Sequence, residues 1–407
     1  DFPYYFGTEA NNITVGTQVP AEDSVVLNES TFTTDATQAT VTVTGCGGRI
    51  PRGEAVIDVG SAGTAARFLA AMLGFSDGCY EIRCSAQMKR RPMAELFDLL
   101  SGAGAKITFL EEEGHLPVRI TGCRYARADK TAGETPRELS LDITKSTQFL
   151  SALLLIAPMV PEGMKIHITS EKTDGSYIRI TRKMMQEFGV SVAFDGRDYE
   201  VPCRSSYRKE TYMVEPDMSA ACYFYAAAAV TGGRALVRHV HMDNTQGDLR
   251  FLEVLEHMGC TADDTPEGVL VTGPADGALR GITVNMNDFS DQALTLAAIA
   301  PFADAPVRIE GIGHIRGQEC DRIHAMQTNL TALGIRCEEE ETAATIYPGS
   351  PHGGSVETYD DHRVAMAFSL VGLRTDGIVI ENPACCRKTF ENYFTVLSEL
   401  TGKTVEG

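Results

Sequence analysis

A repeat of about 70 residues is the feature that most constrains how this chain can fold. Five alanine-rich apolar segments recur along its 407 residues, and each follows a small or polar opening. A segment that is apolar almost all round predicts a helix buried in a core. The five segments begin at Gly63, Ser146, Met218, Asp291 and Asp361, at intervals of 83, 72, 73 and 70 residues.

A second series of segments lies between the first, and these are amphipathic. They begin at Arg91, Tyr177, Asp248, Asp321 and Phe390, at intervals of 86, 71, 73 and 69 residues. Each has helical spacing on one face and ends in a glycine that predicts a C-terminal cap. Most are followed by a short strand-like run, such as residues 105–109 or 190–194.

The repeating unit is therefore predicted to contain a buried helix, a strand or two, an amphipathic helix and further strands. Each unit can cover its sheet only by packing against its siblings. The N-termini of buried helices carry N–H groups and partial positive charge, so several of them aimed at one cleft would bind an anion. Residues 1–60 are long enough for most of another unit but contain neither kind of helix, so the first unit is predicted to be incomplete.

The composition excludes some classes of function. A net charge of −19 argues against a general surface for nucleic acid or anionic membranes. The longest apolar run, residues 149–158, is about half the length that crosses a bilayer. Eleven cysteines without a C-x-x-C pair are typical of reduced thiols. We therefore expect a cytoplasmic protein with neither a nucleic-acid nor a membrane partner, and we find no metal-ligand spacing.

Basic residues recur beside the predicted helix starts. They are Arg67, Arg91, Arg322, Arg363 and Lys388. Guanidinium groups suit phosphate and carboxylate because they can donate two parallel hydrogen bonds. Any one of them alone is more often a solvated charge or a helix cap. Their recurrence at equivalent repeat positions favours an anion site.

Two carboxylates, Asp291 and Glu319, lie beside the same helix starts. Aspartate alone at such a position is more often an N-cap, but near arginines and a bound hydroxyl it could act as a general base or acid. The run Ser146-Thr147-Gln148 is equally compatible with a simple cap and with a site for the oxygens of a phosphorylated polyol. The remaining acidic residues at helix starts are interpreted as caps: Asp217, Asp321, Asp360 and Asp361.

These features coincide with a set of short motifs that resembles the EPSP synthase (5-enolpyruvylshikimate-3-phosphate synthase) family. The resemblance extends from about residue 57 to the end of the chain. It rests on the order and spacing of the motifs, since no single one would suffice. The motifs are residues 61–67, 88–92, 145–154, 214–219, 246–248, 291, 319–322, 360–366 and 387–390.

The resemblance implies an α/β (α+β) enolpyruvyl transferase fold of two similar domains, each with three βαβαββ-type units. Residues 1–20 and 216–407 would form one domain and residues 21–215 the other, with the active site in the cleft between them. It also implies transfer of the enolpyruvyl group of phosphoenolpyruvate to the 5-hydroxyl of shikimate 3-phosphate, with no metal and no cofactor. The resemblance also implies a monomer. Because Gly63 leaves room beside phosphoenolpyruvate, we expect glyphosate to inhibit the enzyme.

The resemblance also assigns roles to individual residues. Asp291 would take the proton from the 5-hydroxyl, and Glu319 would donate a proton to the methylene carbon. The residues implied to bind phosphoenolpyruvate are Gly63, Arg91, Gln148, Arg322, Arg363 and Lys388. Those implied to bind shikimate 3-phosphate are Ser146, Thr147, Gln148, Tyr177, Asp291, His314 and Gln318.

Three departures from the family pattern affect this interpretation. A lysine-containing N-terminal run of the family is missing after Val19-Pro20-Ala21. Gln318 stands where the family has lysine, and we expect it to be tolerated because glutamine can still donate a hydrogen bond. Asp174 displaces a family serine and would repel a phosphate unless it is neutralised.

Two alternatives stay open. The sister transferase that acts on UDP-N-acetylglucosamine shares the fold and the donor, but residues 145–149 and 361–363 favour the shikimate branch, and there is no candidate reactive cysteine in a glycine-rich loop. The second alternative is a non-catalytic relative that binds an anion. The missing lysine run and Gln318 are its only support.

Overall fold

The computed structural model describes residues 32–35, 40–43, 50–123, 136–275 and 277–402. From residue 50 onward the chain divides after Met213 into two compact units, here called the N-terminal unit (50–213) and the C-terminal unit (214–402). Two short strands precede them and pair with each other, β1 (Phe32–Asp35) and β2 (Thr40–Val43). The predicted assignment of residues 1–20 to the C-terminal domain, and the missing lysine run, lie outside the described residues.

The N-terminal unit contains two complete copies of the repeat. Each copy forms a four-stranded sheet in which the first two strands are parallel and the other pairs antiparallel, in the orders β3-β4-β6-β5 and β7-β8-β10-β9. The elements are β3 (Glu54–Asp58), α1 (Gly63–Gly74), β4 (Cys79–Arg83), α2 (Ala86–Lys89), α3 (Ala94–Gly102), β5 (Lys106–Phe109), β6 (Val118–Thr121), β7 (Arg137–Leu141), α4 (Gln148–Ile156), β8 (Met164–Ile168), α5 (Ser176–Glu187), β9 (Ala193–Phe194) and β10 (Asp198–Val201).

The C-terminal unit repeats the same pattern around its own core. One copy is complete, with the sheet order β14-β15-β17-β16, and two are partial among the described residues. The elements are α6 (Met218–Thr231), β11 (Arg234–Arg238), α7 (Phe251–His257), β12 (Thr261–Thr265), β13 (Gly268–Thr272), β14 (Thr283–Asn285), α8 (Ala293–Ile299), β15 (Val307–Glu310), α9 (Arg322–Ala332), β16 (Cys337–Glu339), β17 (Ala344–Ile346), β18 (Gly354–Val356), α10 (His362–Ser369), β19 (Ile378–Ile380) and α11 (Tyr393–Thr401).

Both predicted helix series are present. The apolar segments form α1, α4, α6, α8 and α10, and every residue of α8 is buried. Their alanines let neighbouring helices approach closely, so that α1 packs on α4, and α8 packs on α6 and α10. The amphipathic segments form α3, α5, α7, α9 and α11. Of these, α3, α7 and α9 pack on the strands β5, β12 and β16. The predicted α/β repeat fold is confirmed.

The close packing of helices within the N-terminal unit is visible at Gly74, the last residue of α1. A Cβ atom placed there would lie 2.6 Å from Cδ2 of Leu100 on α3, so a larger residue would require that buried leucine to shift. No helix among the described residues has the length and apolar character that a membrane span requires.

Truncating Leu100 tests how much this packing stabilises the N-terminal unit. Because Leu100 is fully buried, Leu100→Ala should lower the free energy of unfolding by about 2–5 kcal/mol, through lost burial and the cavity left behind. Leu110→Ala is the matched control, since Leu110 is 40% exposed and should lose about 1 kcal/mol or less. Urea denaturation of both variants measures the difference. Equal losses would contradict the packing described.

Candidate active site

Arg322, the first residue of α9, is the centre of the candidate site in the C-terminal unit. Its side chain is buried and makes ion pairs with three carboxylates. Nε donates to Asp361 at 2.8 Å, Nη1 donates to Asp291 at 3.0 Å, and Nη2 donates to Glu319 at 2.7 Å. A planar guanidinium with donors on three sides can hold three acids at once, which a lysine ammonium cannot do in the same plane.

The helix termini bring these groups together. Asp321 caps α9 by accepting from the backbone N–H of His324, which starts the helix at Arg322. Asp361 caps α10 by accepting from the N–H of Arg363 at 2.9 Å while it also accepts from Arg322. The caps predicted at Asp321 and Asp361 are therefore present, but Asp361 does more than cap.

Burial and charge oppose each other in this cluster. Burial by itself would lower the pKa of Arg322, but the charges of Asp361, Glu319 and Asp291 outweigh it and hold that pKa above its ordinary value. Burial by itself would raise the pKa of Asp361, yet the adjacent Arg322 holds it well below its usual range. Arg322 and Asp361 are therefore both ionised at neutral pH.

Asp291 lies in a 3-10 turn, Ser290–Gln292, just before α8. It does not act as the cap of that helix. Its two carboxylate oxygens instead accept from Nη1 of Arg322 and from Nη2 of Arg363, the latter at 2.9 Å. The structure thus brings together four of the predicted site residues, Asp291, Glu319, Arg322 and Arg363.

The other predicted residues of the C-terminal unit lie around this cluster in different ways. His314 is exposed, and its Nε2 is 2.8 Å from the hydroxyl of Ser290, the neighbour of Asp291. Gln318 directly precedes Glu319 and is half-buried. Lys388 ends the 3-10 helix Pro383–Lys388, and its side chain lies outside what the structure describes.

A second constellation lies in the N-terminal unit, at the start of α1. A Cβ atom at Gly63 would lie 2.7 Å from Nη1 of Arg67 and closer still to the guanidinium of Arg91. Two guanidinium groups therefore crowd the backbone at the first turn of a buried helix, where N–H groups also face outward. Like charges placed this close favour an anion as their common partner.

Gln148, the first residue of α4, joins this constellation. Its Oε1 accepts from Arg67 at 2.8 Å, and its Nε2 donates to the hydroxyl of Thr64 at 3.0 Å. Ser146 accepts from the backbone N–H of Gln148 at 3.3 Å, so part of the cap interpretation holds for this serine. Thr147 makes no cap bond with its side chain.

The start of α5 carries Tyr177, which is 49% exposed, and follows the unusual Asp174. Asp174 accepts from Arg179 at 2.8 Å and from the hydroxyl of Tyr199 at 3.2 Å. The negative charge that was expected to repel a phosphate therefore has a cationic neighbour. Among the described residues, no group of three or more His, Cys, Asp or Glu side chains is placed to hold a metal ion.

Three functional candidates were given no substrate or catalytic role by the sequence reasoning. Arg67 was counted only among the basic residues that favour an anion site, and it holds Gln148 in place. Asp361 was interpreted only as a cap, although it is the most buried partner of Arg322. Asp248 was noted only as the start of an amphipathic segment and within the motif of residues 246–248, yet it is buried beside Gln292, the neighbour of Asp291.

Comparisons with known proteins show the family to which the chain belongs. The family model described as EPSP synthase (3-phosphoshikimate 1-carboxyvinyltransferase) matches residues 27–397. A 3-phosphoshikimate 1-carboxyvinyltransferase of Trichormus variabilis is 40% identical over 366 residues, which are 90% of this chain and 83% of the relative. One of Methanospirillum hungatei is 34% identical over 370 residues, with 90% and 84% covered.

Solved structures agree. An EPSP synthase from Acinetobacter baumannii matches with a TM-score of 0.72 at 25% identity, covering 93% of this chain and 85% of that one. The enolpyruvyl transferase NikO from Streptomyces tendae matches with a TM-score of 0.64 at 18% identity, covering 91% and 83%, which shows a shared fold.

Removing the guanidinium of Arg322 should destabilise the fold, because its buried acidic partners would lose their cation. Arg322→Met leaves Asp361 without its cation, so the free energy of unfolding at pH 7 should fall by roughly 3–5 kcal/mol. Because Arg322 lowers the folded-state pKa of Asp361, this stabilisation is present above about pH 4 and is lost as the pH falls further. The gap between wild type and variant should therefore narrow in acid.

Thermal and urea unfolding between pH 3 and pH 8 measure this gap. Arg336→Met is the control, because Arg336 is an exposed partner of Glu338 and its loss should change little at any pH. A gap for Arg322→Met that is independent of pH would contradict the electrostatic account.

Proposed function

This chain belongs to the EPSP synthase family, and we propose that its Arg322 cluster and its Gly63 constellation carry the chemistry of that family. It is a 3-phosphoshikimate 1-carboxyvinyltransferase of the shikimate pathway, which moves the enolpyruvyl group of phosphoenolpyruvate to shikimate 3-phosphate and releases phosphate. The observation that carries the residue assignments is Asp291, an acid held between two arginines at 3.0 and 2.9 Å.

In the C-terminal unit, Arg322, Arg363 and Lys388 are proposed to bind phosphoenolpyruvate. The support is the guanidinium pair, whose donors now face Asp291 and Glu319. A phosphate or carboxylate would compete with these acids for the same donors. Such an exchange would release the two acids for proton transfer when the donor substrate binds, so the ion pairs prevent the base from acting earlier.

In the N-terminal unit, Gly63, Arg91 and Gln148 are proposed to bind the same substrate. The crowded guanidinium groups beside Gly63 and the first turn of α1 supply positive charge without a bulky side chain. Shikimate 3-phosphate is assigned to the hydroxyls and amides that surround the helix starts. These residues are Ser146, Thr147, Gln148 and Tyr177 here, with Asp291, His314 and Gln318 in the C-terminal unit.

The proposed reaction has two steps. In the first, the 5-hydroxyl oxygen bonds to C2 of phosphoenolpyruvate, its proton passes to Asp291, and Glu319 donates a proton to the C3 methylene. This gives a tetrahedral intermediate. In the second, the bond from C2 to the phosphate oxygen breaks, C3 returns a proton to the Glu319 carboxylate, and the proton held by Asp291 leaves with the phosphate, which yields the enolpyruvyl product. Positioning and preset charges dominate such chemistry.

Further expectations from the family resemblance are proposals too. We propose a monomer in the cytoplasm and two domains divided near residues 20 and 215, as the sequence motifs imply.

Measuring phosphate release with each acceptor tests the acceptor specificity. We expect release with shikimate 3-phosphate and none with UDP-N-acetylglucosamine. Release with the second acceptor alone would favour the sister transferase, and release with neither would favour a non-catalytic relative.

Replacing the proposed base should remove turnover while leaving the substrates bound. Asp291→Asn keeps the shape of the side chain but cannot accept the hydroxyl proton, so kcat should fall about 10²–10⁴-fold. Asp263→Asn is the control, because Asp263 is exposed on β12 and has no assigned role. Steady-state phosphate release measures both variants. A loss in Asp291→Asn below about tenfold would contradict the assignment.

A methyl group at Gly63 should weaken donor binding. In Gly63→Ala the new Cβ forces Arg91 and Arg67 to move, so the KM for phosphoenolpyruvate should rise roughly tenfold, or about 1.4 kcal/mol. Gly53→Ala is the matched control, since no atom lies within 4 Å of a Cβ there.

We also propose that glyphosate, a compact anion, inhibits the wild type at concentrations comparable to the KM for phosphoenolpyruvate. An inhibition constant far above the KM would contradict that proposal.

A further inference from the structure

Asp248 is a buried acid that the proposed reaction does not use. It lies in the 3-10 turn Gly247–Arg250 before α7, and its side chain is 6% exposed. It forms no ion pair with the residues that the structure describes. The charged groups that influence it are Asp291, which repels it, and Arg363, which attracts it.

Two neutral donors hold the Asp248 carboxylate. The hydroxyl of Ser219, in the first turn of α6, donates a hydrogen bond to Oδ2. Nε2 of Gln292 donates to the same oxygen at 2.9 Å. The amide of the fully buried Gln292 is fixed further, because its Oε1 accepts from Thr295 at 3.0 Å.

This arrangement connects Asp248 to the proposed base. Gln292 directly follows Asp291 in the turn Ser290–Gln292, so an amide held at Gln292 fixes the backbone that carries Asp291. The thiol of Cys222 on α6 contacts the carbonyl of Asp248 at 3.6 Å, which links the turn Gly247–Arg250 to α6. The repeat that contains α6 and the repeat that contains α8 therefore both contact the Asp248 carboxylate, close in sequence to the proposed base Asp291.

The charge on Asp248 works against the stability of the fold. Burial first, and then the charge of Asp291, raise the pKa of Asp248 to about 6. A carboxyl group whose pKa is raised on folding contributes most at low pH, and it costs stability as the pH rises through that pKa. A buried acid kept at such a cost, without a cation, is a candidate for function.

We propose that Asp248 is a positioning residue of the enolpyruvyl transfer, acting through Gln292 to hold Asp291 in line with the acceptor hydroxyl. This inference rests on the proposed role of Asp291. Asp248 itself touches neither substrate nor reacting atom. Its negative charge makes the Gln292 hydrogen bond a charge-assisted one, which is stronger and more directional than a bond to a neutral amide.

The test compares Asp248→Asn with the wild type in turnover, substrate affinity and stability. We expect kcat to fall at least about tenfold, both KM values to stay within about threefold, and the melting temperature at pH 8 to be unchanged or higher. Asp263→Asn, an exposed acid in the same unit, is the control for charge alone. A variant that keeps kcat within about twofold, or that loses melting temperature along with activity, overturns the proposal.

A double-mutant cycle that combines Asp248→Asn with Gln292→Met tests whether Asp248 acts through Gln292. If Asp248 acts through Gln292, the double variant should be no slower than the slower single variant. Losses that multiply would show that the two residues act independently and would overturn the proposed link. If the wild type released no phosphate, or if Asp291→Asn stayed active, the proposed function on which this inference rests would itself be contradicted.

Discussion

The C-terminal unit depends on one buried cation. Arg322 joins the start of α9 to the N-cap of α10 and to the turn before α8, so three helix termini share a single charge. A buried ion cluster of this kind is weak evidence for stability, since well-packed apolar groups often do as well. Its value lies in geometry, because the guanidinium plane fixes where each acid can lie.

The repeat explains why a catalytic arrangement arises at these positions. Each buried helix must be largely apolar along its length, so most of its charged and amide side chains lie where the helix begins. Gly63, Gln148, Asp291 and Arg363 all stand in or next to a first turn of such a helix. The same termini also leave backbone N–H groups available for anions. The architecture that buries the helices therefore concentrates the chemistry at their ends.

Much of this could be predicted from sequence, for a physical reason. Helix period and terminal glycines are local signals, so α1, α4, α5 and α9 were predicted close to where they lie. Arg322 and Glu319 were recognisable because they sit beside a helix start in a motif. Pairings across repeats were not predictable, because sequence spacing does not show which acid faces which base.

Asp174 and Asp248 illustrate that limit. The first was expected to repel phosphate, and the Arg179 that neutralises it is found only through the geometry of α5. Asp248 was predicted only as part of a segment and a motif. Its proposed positioning role depends on its burial and on the contact with Gln292, 44 positions away. The predicted domain division and the residue roles stay predictions, while the fold and the family are confirmed.

The Arg322 cluster also has a consequence for how the chain reaches this structure. Its partners Asp291 and Asp361 lie 31 and 39 positions away, so the chain must close two long loops before the guanidinium loses its water. An arginine buried with only some of its partners would be costly, so the cluster should close late, after the separate repeats have formed. Contacts made after the folding barrier slow unfolding rather than speed folding. The residues arranged for catalysis would then also determine how long a folded molecule lasts.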